Sequence, residues 1–341
     1  MDQPREILQE LKNSALNPEL LTRALEIPGR KSFMPIFQYS AELCEKYFKK
    51  EIFVRGIIEF SNICSKNCFY CGIRAENKKL RRYTMTKDEI MNIVDKMHSQ
   101  GVLTVVLQSG ESPVHDELII DTVREIKKKY DMAVTLSAGE KEKTIYSEFK
   151  KAGADRYLLR IETTDEKLYK KLHPDSSLKQ RIKCLYMLKE LGFETGTGIM
   201  TGLPGQSMRS IADDIMFFSE LKPAMAGIGP FIPHKDTPLK NEKPRDIFLT
   251  LKTLALIRIA LKNINLPATT AMGTLDKNGR IDAMKYGANV FMPNFTPPPY
   301  REAYMLYDNK ICVNEKCGIS CIKMTAGRAG KKTVISKGGY F

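Results

Sequence analysis

Three cysteines fall within eight residues in Cys64-Ser-Lys-Asn-Cys68-Phe-Tyr-Cys71. Thiolates this close on one loop bind metal or exchange electrons. Structural zinc takes four ligands, usually as paired cysteine sets, so this motif is one short. A redox dithiol needs only Cys68 and Cys71 and leaves Cys64 without a task. A [4Fe–4S] cube normally takes four thiolates. Three would hold three irons and leave the fourth open to a ligand that is not protein. That open-iron cube uses every cysteine of the motif; zinc stays as the alternative. Cys44 and Cys184 stand alone in helix-like segments and read as small core residues. Cys312, Cys317 and Cys321 form a second group within ten residues. Such uneven placement is not that of a secreted disulfide framework.

The motif directly follows an apolar run, 53–61, that reads as a strand. Seven more β-rich runs follow, at 102–109, 132–137, 155–162, 193–200, 225–231, 266–271 and 288–294. Between them lie amphipathic stretches such as TKDEIMNIVDKMHSQG and SLKQRIKCLYMLKELG, several ending on Gly as helix caps do. Near-continuous apolar strands alternating with helices predict an α/β fold, a parallel sheet covered by helices. Eight units in this span match a closed (β/α)8 TIM-type barrel, whose active sites lie at the C-terminal ends of the strands. A doubly wound sheet competes less well, since no GxGxxG follows the first strand. GTGIMTGLPG (196–205) has neither Walker nor Rossmann spacing. The reading divides the chain into an N-terminal helical extension (1–50), the barrel (51–294) and a Pro-rich loop with a Cys-containing tail (295–341).

Composition sets the outer bounds. The chain has 341 residues, 43% hydrophobic and 28% charged, with 54 Lys and Arg against 40 Asp and Glu. This is an ordinary globular mixture. The net charge of +14 is dispersed along the sequence, and there is no Trp. A solvated basic surface is therefore expected, not a nucleic-acid site. No apolar run approaches the roughly 18–20 residues of a membrane span. The N-terminus lacks the apolar centre of a signal peptide. These features predict a cytoplasmic protein with neither membrane nor nucleic-acid partner. His98, His115, His173 and His234 are scattered, and no two form a metal pair in sequence.

CxxxCxxC with an aromatic residue before its last Cys is similar to the signature of the radical S-adenosylmethionine superfamily. That resemblance implies a [4Fe–4S] cluster whose open iron is chelated by S-adenosylmethionine. Reductive cleavage would then give methionine and a 5′-deoxyadenosyl radical. Gly110-Glu111 resembles the superfamily's motif for the methionine ammonium. Ser137 and Glu162 match partners of the amino-acid or ribose groups, and Arg181 matches a carboxylate clamp. Tyr70 and Ile199-Met200 would pack near the adenine. Within the superfamily, residues 5–325 resemble the HydE family of [FeFe]-hydrogenase maturases. VVLQSGE, GADRYLLR, TGLPGQ, GIGPFIPHKDTPL, PATTAMGT and GANVFMPNFTP carry that likeness. Methylornithine synthase and biotin synthase are the neighbouring families. The HydE resemblance implies a small sulfur-containing substrate, a cysteine-bound iron carbonyl cyanide unit, used in H-cluster maturation. It also implies an electron donor of flavodoxin or ferredoxin type and companion maturases. Arg55, Gln108, Thr135, Arg156, Arg160, Thr269, Thr270, Met292 and Tyr304 match its barrel-interior anion and substrate positions. Arg55, Arg156 and Arg160 also stand out physically, because a charge in an apolar strand must be paired or functional. Together they predict an anion-selective interior. Ile161 departs from the family, which carries His there. That leaves open a homologue, or a methylornithine-synthase-like mutase, acting on another amino-acid-like substrate. An iron–sulfur scaffold or a zinc-and-RNA-binding protein is the non-enzymatic alternative.

The spacing of Cys312, Cys317 and Cys321 loosely resembles that of a second cluster at the C-terminus of some HydE proteins. Following the eighth strand, this group is expected at the outer rim, away from the substrate. Changing all three to Ala is expected to lower iron content while leaving cofactor cleavage within about a few-fold of wild type. Loss as severe as that from Cys64→Ala in a folded protein would overturn the placement.

Overall fold

The computed structural model describes residues 3–311 and 318–339. Nine strands occur among them, and every pairing between them is parallel: β1 Glu51–Val54, β2 Gly56–Ser61, β3 Thr104–Ser109, β4 Ala133–Ser137, β5 Arg156–Leu158, β6 Glu194–Thr201, β7 Met225–Pro230, β8 Val290–Phe291 and β9 Lys332–Val334. Strands β2 to β7 form one sheet in sequence order. Single parallel bridges then carry the ring onward, Met225 to Asn265 and Pro267 to Val290. β8 pairs with β1, and Ile57 bridges Asn294. Eight positions thus follow one another around a closed barrel, as the alternation of apolar strands and helices implies.

Four expected strands differ, among them 288–294, which narrows to the two residues of β8. The run 53–61 breaks at Arg55, because β1 pairs with β8 and β9 whereas β2 pairs with β3. The run 155–162 narrows to β5, and Glu162 rejoins through a single bridge to Ile199. At 266–271 no strand forms: Pro267 has no N–H to give a ladder. The helix Thr270–Leu275 starts there instead.

The helix Lys87–Ser99 begins at a reciprocal cap, with Thr86 and Glu89 each satisfying the other's backbone N–H. The helix Ile247–Ala260 is apolar on nearly all sides, a pattern that demands burial all round. The N-terminal helices Pro18–Glu26 and Arg30–Phe48 supply the outer cover. Phe33 and Phe37 meet Phe248 edge-on at 6.0 and 6.1 Å. Lys252, buried between them, donates to the carbonyls of Leu25 and Ile27. Cys44 and Cys184 are buried in helices, as expected.

The floor of the barrel is made by the end of the chain. β9 pairs with β1 below the start of β3, and residues 336–339 then run under the strand ends. Arg55 Nη2 donates to the Gly338 carbonyl at 2.7 Å, and Arg156 Nη2 to that of Lys337 at 2.9 Å. Thr104 Oγ1 donates to the same Lys337 carbonyl at 3.0 Å. Arg55 is fully buried, and its further bond from Nη1 goes to the Met225 sulfur. Removing the chain from Ser336 onward leaves these guanidinium groups short of acceptors. A stability loss of about 3 kcal/mol is expected, read as an earlier urea midpoint with unchanged helix content. An unshifted midpoint would show that the floor is not held by this segment.

A candidate active site at the mouth of the barrel

The loop after β2 carries the three cysteines and has no regular structure of its own, so side chains must fix it. Asn62 Nδ2 donates to the carbonyls of Arg81 and Ala303 at 2.8 and 2.7 Å, and its Oδ1 accepts from Tyr83 N. The Arg82 guanidinium donates to the carbonyls of Asn62, Ile73 and Arg74 at 2.5–2.7 Å. Ser65 N bonds to Glu111 O at 2.8 Å and Phe69 N to Leu172 O at 3.0 Å, so the loop lies against its neighbours. Gly110 is required at that approach. A Cβ there would sit 2.4 Å from the Ile63 carbonyl and 2.8 Å from Cys64 Cβ.

Cys64, Cys68 and Cys71 line one end of a cavity of about 360 Å³. Burial pushes all three thiols up, Cys68 to about 12; repulsion from Cys64 adds to it at Cys68, from Cys68 and Cys64 at Cys71, and from Glu111 at Cys64. Three half-buried thiols on one loop at the cavity wall suit a multinuclear cationic group that would favour their thiolate forms. Among the described residues no three His, Cys, Asp or Glu side chains converge on a single ion. Three thiolates are one short of a structural zinc site and match a cluster with one open iron.

Around that end the predicted cofactor residues come together. Glu111, Ser137, Glu162, Arg181, Tyr70 and Met200 all line the same cavity. Arg181 pairs with Glu140 at 2.7 Å and approaches Glu111 at 3.8 Å, while Lys66 reaches Glu111 at 3.3 Å. Burial works against the Arg181 charge, but Tyr169, Glu140 and Glu111 outweigh it and hold the guanidinium protonated. Burial raises Glu140, against the pull of Arg181. Arg160 grips Glu162 bidentately at 2.7 and 2.8 Å and donates to the carbonyls of Gly227 and Ile199. Gly198 and its register partner Gly227 make room for this guanidinium: a Cβ on either would lie within 3 Å of Arg160 Nη1. Tyr70 meets His173 at 2.8 Å. The other ring nitrogen, Nδ1, must donate to the Tyr169 carbonyl at 3.0 Å, so Nε2 accepts the Tyr70 O–H. Burial lowers His173 to about 4, which keeps it neutral in that role.

The predicted substrate residues divide into two groups. Gln108, Arg160, Thr269, Thr270, Met292 and Tyr304 line the main cavity. Arg55, Thr135 and Arg156 do not; they border a void of about 10 Å³ at the floor, beyond Leu158 and Met225. The single anion-attracting interior is corrected accordingly. Arg156 is paired with Glu194 at 2.7 Å and Arg160 with Glu162. Arg55 alone has no acid partner. Burial, with Arg156 nearby, pushes it down to about 9, and its Nε and the Thr135 hydroxyl are buried without hydrogen bonds. Ile161 is fully buried in the main core and does not line the cavity, so the departure from His bears on packing. Cys312 and Cys317 lie outside the described residues; Cys321, on the helix Gly318–Arg328, is disulfide-bonded, which corrects its expected role as a cluster thiolate.

Sequence reasoning missed Glu140, His173 and the buried ion pair of Glu59 with Lys310, which lines the cavity with Tyr304. Glu59 interrupts an apolar strand, a signal that could have found it. Lys310 carries none. Asp214 was missed as well. It is fully buried on the helix Met208–Leu221 and accepts from Thr164 N and Oγ1 at 2.5 and 2.6 Å. It thereby anchors the chain just after Glu162, whose φ of 65° is left-handed and strained for a non-glycine residue. Burial raises Asp214 to about 7. The folded protein therefore binds a proton there that the unfolded chain releases near pH 4. Wild-type stability should fall between about pH 4 and 7 relative to Asp214→Asn, by up to about 1.4 kcal/mol per pH unit. Urea midpoints of both proteins at several pH values test this. A gap independent of pH would contradict it.

Comparison with known proteins agrees with this geometry. The radical SAM superfamily is matched over residues 58–218. The chain is 50% identical over 338 residues to the [FeFe] hydrogenase maturase subunit HydE of Thermotoga maritima, covering 98% of this chain and 97% of that one. It is 24% identical to 3-methylornithine synthase of Methanosarcina acetivorans over 92% and 89% of the two chains. The crystal structure of methylornithine synthase shares the fold, with a TM-score of 0.82, 21% identity and 97% coverage of both chains. Half of all positions match across nearly the full length of both proteins, and the cysteine loop sits at the mouth of a matching barrel. The chain belongs to the HydE family of [FeFe]-hydrogenase maturases, within the radical SAM superfamily.

Proposed function

We propose that the protein binds S-adenosylmethionine at a [4Fe–4S] cluster held by Cys64, Cys68 and Cys71 and acts on a small sulfur-containing substrate in [FeFe]-hydrogenase maturation. The observation that carries this reading is that the three cysteines line one cavity together with the cofactor positions and with Gln108, Arg160, Thr269, Thr270, Met292 and Tyr304. When bound, the cluster supplies the electron that splits the sulfonium into methionine and a 5′-deoxyadenosyl radical.

The chain's own residues supply binding, orientation and exclusion of water. Glu111 accepts from the cofactor ammonium, with Lys66 and Arg181 balancing its charge. Arg181 presents a guanidinium to the carboxylate. Ser137 and Glu162 take hydroxyl groups, and the Arg160 fork keeps the Glu162 carboxylate from turning away. His173 fixes the Tyr70 ring beside Met200, a surface for the adenine. Deeper in the cavity, Arg160, Thr269 and Thr270 are polar partners for a cysteine-bound iron carbonyl cyanide unit, while Met292 offers an apolar wall. The orphaned Arg55 Nε and Thr135 hydroxyl, near Arg156, suit one small anion or water at the floor. An electron donor of flavodoxin or ferredoxin type and companion maturases complete the reading.

Replacing Cys64, Cys68 or Cys71 with Ala is expected to abolish 5′-deoxyadenosine formation and lower bound iron, while the fold survives because the loop lies outside the barrel core. Full turnover by any such variant after anaerobic reconstitution would refute the assignment. Supplied with lysine, the wild type is expected to form no methylornithine; its formation would favour the mutase reading.

A further inference from the structure

Two basic segments of the chain meet in space beside the cysteines, the loop 64–82 and the stretch 166–183. Phe69 N bonds to Leu172 O at 3.0 Å and Asn67 N to Asp175 Oδ2 at 2.8 Å. Lys66 Nζ donates to Asp175 O at 3.0 Å, and Ala75 N to Lys66 O at 2.8 Å. Residues 75–79 and 170–175 therefore flank the same central strip, 66–69.

These two segments hold twelve Lys and Arg against three Asp and Glu; of the cations, Arg74 and Arg181 are buried, and Lys66 and Lys79 pair with Glu111 and Asp236. Lys78, Lys79, Arg81, Lys167, Lys170, Lys171 and Lys179 are exposed. Two of the three acids are already engaged, Glu76 by Arg74 and Asp175 by Asn67. Some exposed lysines pair with acids, Lys129 with Asp95, Lys143 with Glu190 and, within this face, Lys79 with Asp236. Among the described residues Lys167, Lys170, Lys171 and Lys179 have no such partner. Like charges left together without partners repel, and an acidic surface would relieve that cost.

We propose that this face docks a small acidic electron-transfer protein. The inference rests on the cluster reading above. Electron tunnelling decays steeply with distance, and this face is built on the loop that carries the half-buried cysteines. In the docked pair one electron leaves the reduced carrier and enters the cluster; the carrier is oxidised by one electron, and no atom is transferred. Weak encounters of this kind depend on charge steering and fade with salt.

The test uses the reconstituted protein and its Lys78→Glu/Lys170→Glu/Lys171→Glu variant. Oxidised flavodoxin is titrated calorimetrically into each, and 5′-deoxyadenosine is measured with reduced flavodoxin or with dithionite. Flavodoxin affinity, and kcat/KM for flavodoxin, are expected to fall about tenfold or more in the variant. Wild-type affinity should weaken as salt rises, and dithionite-driven cleavage should stay within about twofold. Lys49→Glu/Lys50→Glu, at the barrel floor, should leave all of these unchanged. Unaltered flavodoxin binding by the triple variant, an equal loss in the floor variant, or duplex DNA displacing flavodoxin at equal concentration would overturn the docking surface. No dithionite-driven cleavage even by wild type would instead refute the cluster reading.

Discussion

Everything at the mouth of this barrel depends on one guanidinium. The chain runs from the end of β2 to the helix at Lys87 without regular structure, and loops of such length in compact domains need specific anchors. Arg82 supplies one by donating to three backbone carbonyls that are far apart in the loop but adjacent in space. Burial lowers its pKa and makes the charge costly there; the carbonyl dipoles offset that cost. Asn62 closes the same loop from its other end, and Gly110 lets it approach the next strand. With these contacts in place the three thiols have fixed positions before any cofactor arrives, which removes the ordering cost from binding.

Charge inside the barrel is handled by local pairing. Arg160 with Glu162, Arg181 with Glu140 and Lys310 with Glu59 each place a cation beside a carboxylate at the cavity wall. Such pairs add little stability, since desolvating both ions cancels much of the attraction. They do hold two side chains in one geometry. For Glu162 that matters doubly: its backbone is strained, its carboxylate is gripped by Arg160, and the next residues are anchored by Asp214. Strain at this position persists because the surroundings over-determine it.

How much of this could be read from the chain depends on how local the signal is. The cysteine spacing, Gly110-Glu111 and the alternation of strands and helices are short-range patterns, and the fold follows them. Arg55 was visible as an odd residue in an apolar run. Its acceptor, the Gly338 carbonyl, lies 283 positions away, so neither the break between β1 and β2 nor the loss of a common anion cavity was visible. Lys310 and His173 fail for the same reason, because a lysine near a Pro-rich loop and a histidine at a helix end have many ordinary uses. Ile161 shows the converse error. Its departure from the family pattern drew attention to the substrate, yet its side chain points into the core.

The two ends of the barrel divide stability from chemistry, as in other parallel barrels, but here the C-terminal chain serves both. Tyr304, Leu306, Tyr307 and Lys310 line the mouth of the cavity, and Asp308 N bonds to Pro233 O across it at 3.1 Å. Some twenty residues later, β9 joins the ladder beside β1, and Lys337 and Gly338 receive the floor arginines. Segments that cap both ends of a cavity exclude water without lengthening the strands themselves. Exclusion of water between them would protect a reactive intermediate from side reactions. The short strands β5 and β8 are tolerable for the same reason: the chain beyond the barrel supplies closure that the ladder does not.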